Sequence, residues 1–102
     1  MFIVVSHHHC KPGQADVARQ RVDQNGAAMT KEPGFLYRYR IENKAKPGVV
    51  STLTAWSAES DYQNFRDRRA AGGGGPDPHA MPWERIEGES YEVQSSHGNA
   101  PK

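Results

Sequence analysis

Trp56 and Tyr62 stand six residues apart, where a run rich in Val, Thr and Leu gives way to helix-forming residues. An indole and a phenol at such a junction supply an aromatic wall and a hydrogen-bond donor that can orient a phenol or ketone oxygen on a planar substrate. Packed beneath a helix, the same two rings would instead be core. Phe65 and Arg69 follow Tyr62 on one helical face. Arg66, Arg68 and Arg69 complement the negative end of a helix dipole and read first as a solvated face. One of the three is also suited to hold a carboxylate or phenolate of a substrate, and Arg66 and Arg69 are taken as the candidates. Asn25 falls on a stripe with Ala18, Val22 and Met29, at steps of four, three and four. A buried amide must find hydrogen-bond partners, so Asn25 either lines a pocket or is solvated on a slightly rotated helix.

Three consecutive histidines, His7, His8 and His9, end the first apolar run. Side chains alternate on a strand, so His7 and His9 share a face with Ile3 and Val5, and His8 shares the other with Phe2, Val4 and Ser6. Only His7 and His9 are placed to bind one metal, and neither His79, His97 nor Cys10 has a spacing that supplies a third ligand. No metal site is assigned.

These residues must be positioned by a short chain. Its 102 residues fit one domain, assigned to residues 1–96 with a tail at 97–102. Lys plus Arg is 13 and Asp plus Glu is 12, a net charge of +1 that offers no electrostatic case for nucleic acid or an anionic membrane. No run approaches the roughly 20 apolar residues that span a bilayer. A soluble, cytoplasmic protein is expected. The single cysteine, Cys10, excludes an internal disulfide and a CxxC site. Only 35% of residues are hydrophobic and mean hydropathy is -0.86, so a partner subunit would help complete the core.

The chain opens with a strand over Met1–Cys10, turns at Lys11-Pro12-Gly13, and favours helix from Gln14 to Lys31, weakened in its centre by Gly26. Glu32-Pro33-Gly34 stops that helix. Over Phe35–Asn43 the residues Phe35, Tyr37, Tyr39 and Ile41 alternate with Leu36, Arg38, Arg40 and Glu42, the period of a half-buried strand. Val49–Trp56 pairs with it as a hairpin, and Ser57 sits where an N-cap belongs before a helix over Ala58–Ala71. Gly72–Pro78 is a flexible loop, suited to act as a lid. Met81–Ile86 has room for one helical turn before a last strand over Glu87–Ser95. The order β-α-β-β-α-β predicts an α+β, ferredoxin-like fold whose antiparallel sheet carries both helices on one face. The other face lacks cover, and pairing with a second copy through it is the simplest remedy.

Two runs carry a family resemblance: Lys31-Glu32-Pro33-Gly34-Phe35-Leu36, and Leu53-Thr54-Ala55-Trp56-Ser57-Ala58-Glu59-Ser60-Asp61-Tyr62. Together they resemble the antibiotic-biosynthesis monooxygenase (ABM) domain of the dimeric α+β barrel superfamily, over about residues 2–70. The resemblance implies a homodimer with a pocket beneath the helices of each subunit. Members that oxidise aromatic polyketides without metal or flavin use a tryptophan at the end of the third strand and a tyrosine six positions later, matched by Trp56 and Tyr62. They also use an asparagine four positions before the tryptophan, where this chain has Thr52. Heme-degrading members carry an asparagine on the first strand and an axial histidine on the second helix. Ser6, and Phe65 or Arg66, stand at those positions here, so that mechanism is not implied unless His79 substitutes. If Ser6 takes the family's cavity position, strand parity puts His8 on the cavity side, where a neutral imidazole could accept a phenolic proton near pH 7.

The leading expectation is a cofactor-independent monooxygenase acting on a small aromatic or quinol-type metabolite, with Trp56, Tyr62 and His8 as catalytic residues and Asn25, Thr52, Phe65, Arg66 and Arg69 binding substrate. The competing expectations are a non-catalytic ligand-binding barrel and a heme-binding protein with an unusual ligand. The glycine run lacks a Lys-Ser/Thr ending and opens no helix, which disfavours a nucleotide. No basic-glycine-aromatic run supports RNA binding.

Overall fold

The structure is a computed structural model that describes residues 1–72 and 80–100. Its elements are β1 (Phe2–Cys10), α1 (Ala15–Met29), β2 (Phe35–Glu42), β3 (Val49–Trp56), α2 (Glu59–Ala71) and β4 (Trp83–Glu92). The four strands form one sheet in the order β2-β3-β1-β4, each neighbour antiparallel to the next. This is the expected α+β, β-α-β-β-α-β arrangement. Most of the proposed Gly72–Pro78 lid, together with His79 and the last two residues of the tail, lies outside the described residues.

Strand parity decides which side chains meet the helices. Ser6 pairs with Thr52 and His8 with Val50 across the β1–β3 ladder. Phe2, Val4 and His8 are buried, as are Val50, Thr52, Thr54 and Trp56 opposite them. Two apolar clusters form above this face. Phe2, Val4, Trp56 and Phe65 make one, joined by Met29, Phe35 and Tyr62. Ala18, Val22, Val50 and Trp83 make the other, joined by Cys10 and Met81. The α1 stripe therefore buries Ala18 and Val22 as its periodicity predicts, with Asn25 half-buried beyond them.

The two runs that carry the family resemblance meet in space. Gly34 has φ +82, a left-handed conformation that ends the link between α1 and β2. Its carbonyl accepts the Ser57 N–H at 2.8 Å, and a Cβ on Gly34 would fall 2.2 Å from Asp61 Cγ. Ser57 is not the N-cap of α2. The extended cap residue is Ala58, and the Ser57 hydroxyl donates instead to the Asp61 carboxylate one turn into the helix.

Two further differences have a tertiary origin. The β2–β3 register shifts between Phe35 and Tyr37, so Phe35 pairs with Trp56 and turns under the helices while Tyr37 and Tyr39 stack on the opposite face, ring centroids 5.3 Å apart. The alternation thus does not keep Phe35 and Tyr37 on one side. The short helical turn expected near Met81–Ile86 is replaced by strand from Trp83 onward. Cys10 pairs with Trp83 and His9 with Arg85, and the Lys11 N–H donates to the Pro82 carbonyl at 2.9 Å. A ladder to β1 and burial of the Trp83 ring outweigh the local helical preference of that run.

On the face away from the helices, Tyr39 is 53% exposed, Ile41 39% and Tyr91 49%. Tyr39 and Ile41 lie on the β2 edge of this face and Tyr91 on the β4 edge, where a polar ladder joins β1 to β4. His7 Nε2 lies 2.7 Å from Glu89, His9 Nε2 lies 2.6 Å from Glu87, and the Tyr91 hydroxyl donates to Glu89 at 2.5 Å. The hydrogen bonds from Tyr91 and His7 hold the Glu89 carboxyl below its ordinary pKa and push the Tyr91 phenol up. No helix among the described residues is long and apolar enough to cross a membrane.

Candidate functional site

A cavity of about 540 Å³ opens between the two helices and the sheet. Its sheet wall comes from Val4, Ser6 and His8 of β1 and from Thr52, Thr54 and Trp56 of β3, all on the helix-side parity of their strands. The helices contribute Asn25 and Met29 from α1 and Tyr62 and Phe65 from α2. Every residue singled out in the sequence as a site candidate lines this one cavity: Trp56, Tyr62, His8, Asn25, Thr52, Phe65, Arg66 and Arg69.

The aromatic wall is continuous. Trp56 is fully buried, with ring centroids 6.0 Å from Tyr62, 5.2 Å from Phe65 and 5.8 Å from Phe35, the last edge-on. These spacings suit favourable aromatic pairs. The indole Nε1 is buried and has no acceptor among the described residues. Arg66 stacks over the Tyr62 ring at 5.7 Å and Arg69 over Phe65 at 5.6 Å, so both guanidinium groups rest on the aromatic wall at its α2 side.

His8 is 6% exposed. Its Nδ1 lies 3.0 Å from the Val50 carbonyl oxygen, which can only accept, so Nδ1 carries the proton and a neutral ring keeps its lone pair on Nε2. Trp83 meets the imidazole edge-on at 4.5 Å. Burial holds the His8 pKa below its ordinary 6.5, with smaller lowering contributions from Arg38 and His7 and an opposing one from the Val50 hydrogen bond. At neutral pH His8 is therefore an uncharged base in the cavity wall. His7 and His9 face the other side of the sheet. Among the described residues no group of three or more histidine, cysteine or carboxylate side chains is placed to hold a metal ion.

The chain also brings Arg38 into the wall, a residue the sequence reading left among the alternates of β2. Arg38 pairs with Thr54 across the ladder and so projects beneath α1. It fits because α1 has a glycine at that point: a Cβ on Gly26 would lie 3.2 Å from both Arg38 Cδ and Arg38 Nη1. A glycine in mid-helix, otherwise a cost of about 1 kcal/mol, was the available signal. Arg38 Nη1 donates to the Val22 carbonyl at 3.3 Å and to Met29 Sδ at 3.4 Å, while Nε is buried without an acceptor among the described residues. Arg21, Met81, Trp83 and Ile86 complete the opposite end of the cavity. Only strand pairing of β4 brings the last two there.

The axial histidine that the resemblance places on the second helix of heme-degrading members has no counterpart in α2, and His79 lies outside the described residues. Helix α2 reads Glu-Ser-Asp-Tyr-Gln-Asn-Phe-Arg-Asp-Arg-Arg-Ala-Ala and offers no axial histidine. Among the described residues the cavity's one histidine is His8, whose Nδ1 donates to the Val50 carbonyl and whose Nε2 is left free.

Comparison with solved structures places the fold among known relatives. The heme degrader MhuD from Mycobacterium tuberculosis, solved with two hemes in its active site, superposes with a TM-score of 0.76 at 17% identity, covering 96% of this chain and 100% of that one. An antibiotic biosynthesis monooxygenase, so named as putative, from Deinococcus radiodurans gives a TM-score of 0.75 at 15% identity, covering 99% and 100%. SnoaB, a cofactor-independent oxygenase from Streptomyces nogalater, gives 0.67 at 16% identity, covering 93% and 94%. At these identities the likeness is one of fold. No curated protein matches by sequence. The family profile described as antibiotic biosynthesis monooxygenase matches residues 1–72, the span that holds β1 to α2 with both resemblance-carrying runs and all eight candidate residues. The chain therefore belongs to the antibiotic biosynthesis monooxygenase family.

Proposed function

We propose that the protein is a cofactor-independent oxygenase of small planar phenolic or quinol-type aromatics, working as a homodimer in the cytoplasm. The observation that carries this reading is the meeting of a neutral, tautomer-fixed His8 with the Trp56–Tyr62 wall in one cavity. His8 Nε2 takes the phenolic proton of the bound substrate. The resulting electron-rich anion passes one electron to dioxygen, and the two radicals recombine at ring carbon. In an anthrone-type substrate the ring methylene conjugated with the phenolate becomes a carbonyl, and in a quinol a ring C–H is oxygenated to give the hydroxyquinone; in both the second oxygen atom leaves as water, so the substrate itself supplies every electron. Tyr62 orients the substrate oxygen. Thr52 offers a hydroxyl where relatives of this type use an amide, and Asn25 supplies an amide from α1 instead.

The exposed Tyr39 and Ile41 on one edge strand and Tyr91 on the other favour association of two copies through the uncovered sheet face. A free Cys10 suits a reducing compartment.

Oxygen uptake with a panel of anthrones and hydroquinones, in chelator-treated buffer, tests the activity. Turnover is expected to fall at least about tenfold in His8→Gln, a typical loss for a general base, and in Trp56→Phe and Tyr62→Phe. Undiminished turnover in all three variants would overturn the reading. Saturable binding of these aromatics without oxygen uptake would instead identify a sequestering barrel.

A further inference from the structure

The chain has eight arginines, and they divide sharply. Arg19, Arg40, Arg68 and Arg85 each lie within 3.0 Å of a carboxylate, on Asp16, Asp23, Glu32 and Glu87. None of these four lines the cavity. Arg21, Arg38, Arg66 and Arg69 all line it, and none has a carboxylate within 4 Å among the described residues. Among the described residues no aspartate or glutamate is in the cavity wall.

Arg38 is the informative member. Burial lowers its pKa, the charge of Asp23 offsets this in part, and Arg69 lowers it further. Asp23 itself is bonded to Arg40, at 3.0 Å. The guanidinium thus sits half-buried with a carbonyl and a thioether as its only hydrogen-bond acceptors among the described residues, and with Nε unsatisfied. Trp56 Nε1, in the same wall, is a second buried donor without an acceptor among the described residues. Buried donors and charges are normally matched, and a set left unmatched in a cavity marks what the cavity receives.

Resting on the oxygenase reading of this cavity, we propose that its substrate is an anion: a planar aromatic bearing a carboxylate that Arg38 binds, with Arg21, Arg66 and Arg69 supplying the surrounding positive field. The planar fork of Arg38 suits a carboxylate, and a Lys at that position would not reproduce it. The aromatic body lies against Trp56 and Tyr62.

The test is a pair of matched probes, anthracene-2-carboxylate and anthracene-2-carboxamide, titrated calorimetrically without oxygen into wild type, Arg38→Met, Arg38→Lys and Arg68→Met. The wild type is expected to favour the carboxylate by about tenfold to a hundredfold, the range of one charge-assisted hydrogen bond. Arg38→Met should abolish that preference while keeping carboxamide affinity, Arg38→Lys should recover it in part, and Arg68→Met should retain it. Arg38→Met should also melt at a higher temperature than wild type without ligand, because an unmatched buried charge is removed. Equal affinity for the two probes, no binding of either at millimolar concentration, or a preference that survives Arg38→Met would overturn the proposal. Since no turnover is measured, a carboxylate preference without oxygen uptake would leave this inference standing and remove the oxygenase reading alone.

Discussion

Gly34→Ala is expected to destabilise the fold more than its single added methyl suggests. At φ +82 an alanine carries the left-handed penalty of about 1–2 kcal/mol. Its Cβ would also fall 2.2 Å from Asp61 Cγ and 2.4 Å from Asp61 Cβ. Neither atom is the free end of a long side chain, so relief requires α2 itself to shift, an overpacking cost of about 1–3 kcal/mol. That shift further strains the Ser57 N–H bond to the Gly34 carbonyl, 2.8 Å in the native fold. A total loss of about 2–5 kcal/mol follows, against a typical whole-domain stability of about 5–15 kcal/mol. Urea denaturation at fixed protein concentration, followed by circular dichroism and by tryptophan fluorescence, measures it. Asp61→Gly separates the two contributions in a double-mutant cycle: in its background the overlap is gone and Gly34→Ala should cost only about 1–2 kcal/mol. A wild-type loss below about 1 kcal/mol, or the same loss in both backgrounds, would refute the packing argument.

Gly26→Ala should leave stability within about 1 kcal/mol of wild type, because better helix propensity offsets the 3.2 Å approach to Arg38. The displaced guanidinium should nonetheless weaken binding of anthracene-2-carboxylate, which titration would show; unchanged affinity would count against the Arg38 anchor. His8 predicts a pH dependence of folding. Its folded pKa lies below its ordinary 6.5, so above pH 6.5 both states are neutral and the contribution is level. Below that pH the unfolded chain takes up the proton first, and stability falls until the folded pKa is passed. His8→Gln should remove that part of the slope in urea melts taken from pH 5 to 8, and identical slopes would rule the assignment out. Tyr39→Glu combined with Ile41→Glu puts two charges on the exposed sheet face and should convert a dimer to a monomer in sedimentation, with each subunit's circular dichroism retained.

The fold was legible where local chemistry and tertiary need agree. The β-branched and aromatic content that marks β1 and β3 as strands, the α1 stripe of Ala18 and Val22, and the stops at Pro12-Gly13 and Pro33-Gly34 all survive into the structure. The candidate site was legible through the family resemblance and through parity: once Ser6 faces the cavity, His8 and Thr52 must as well. Ser57 misled because a cap-forming residue one position early bonds to Asp61 instead. Arg38 was passed over because an arginine on a half-exposed strand ordinarily reaches solvent.

The amino-acid order alone settles which side chains share a face, since alternation along a strand and recurrence along a helix are properties of the backbone. It cannot settle which face turns inward when a strand shifts by one residue, as at Phe35, or whether a run such as Trp83–Ile86 extends along β1 or coils by itself. Those outcomes depend on partners far away in the chain. The unmatched state of Arg38 and Trp56 among the described residues is likewise a tertiary fact, because a donor's acceptors are decided by residues distant in the chain.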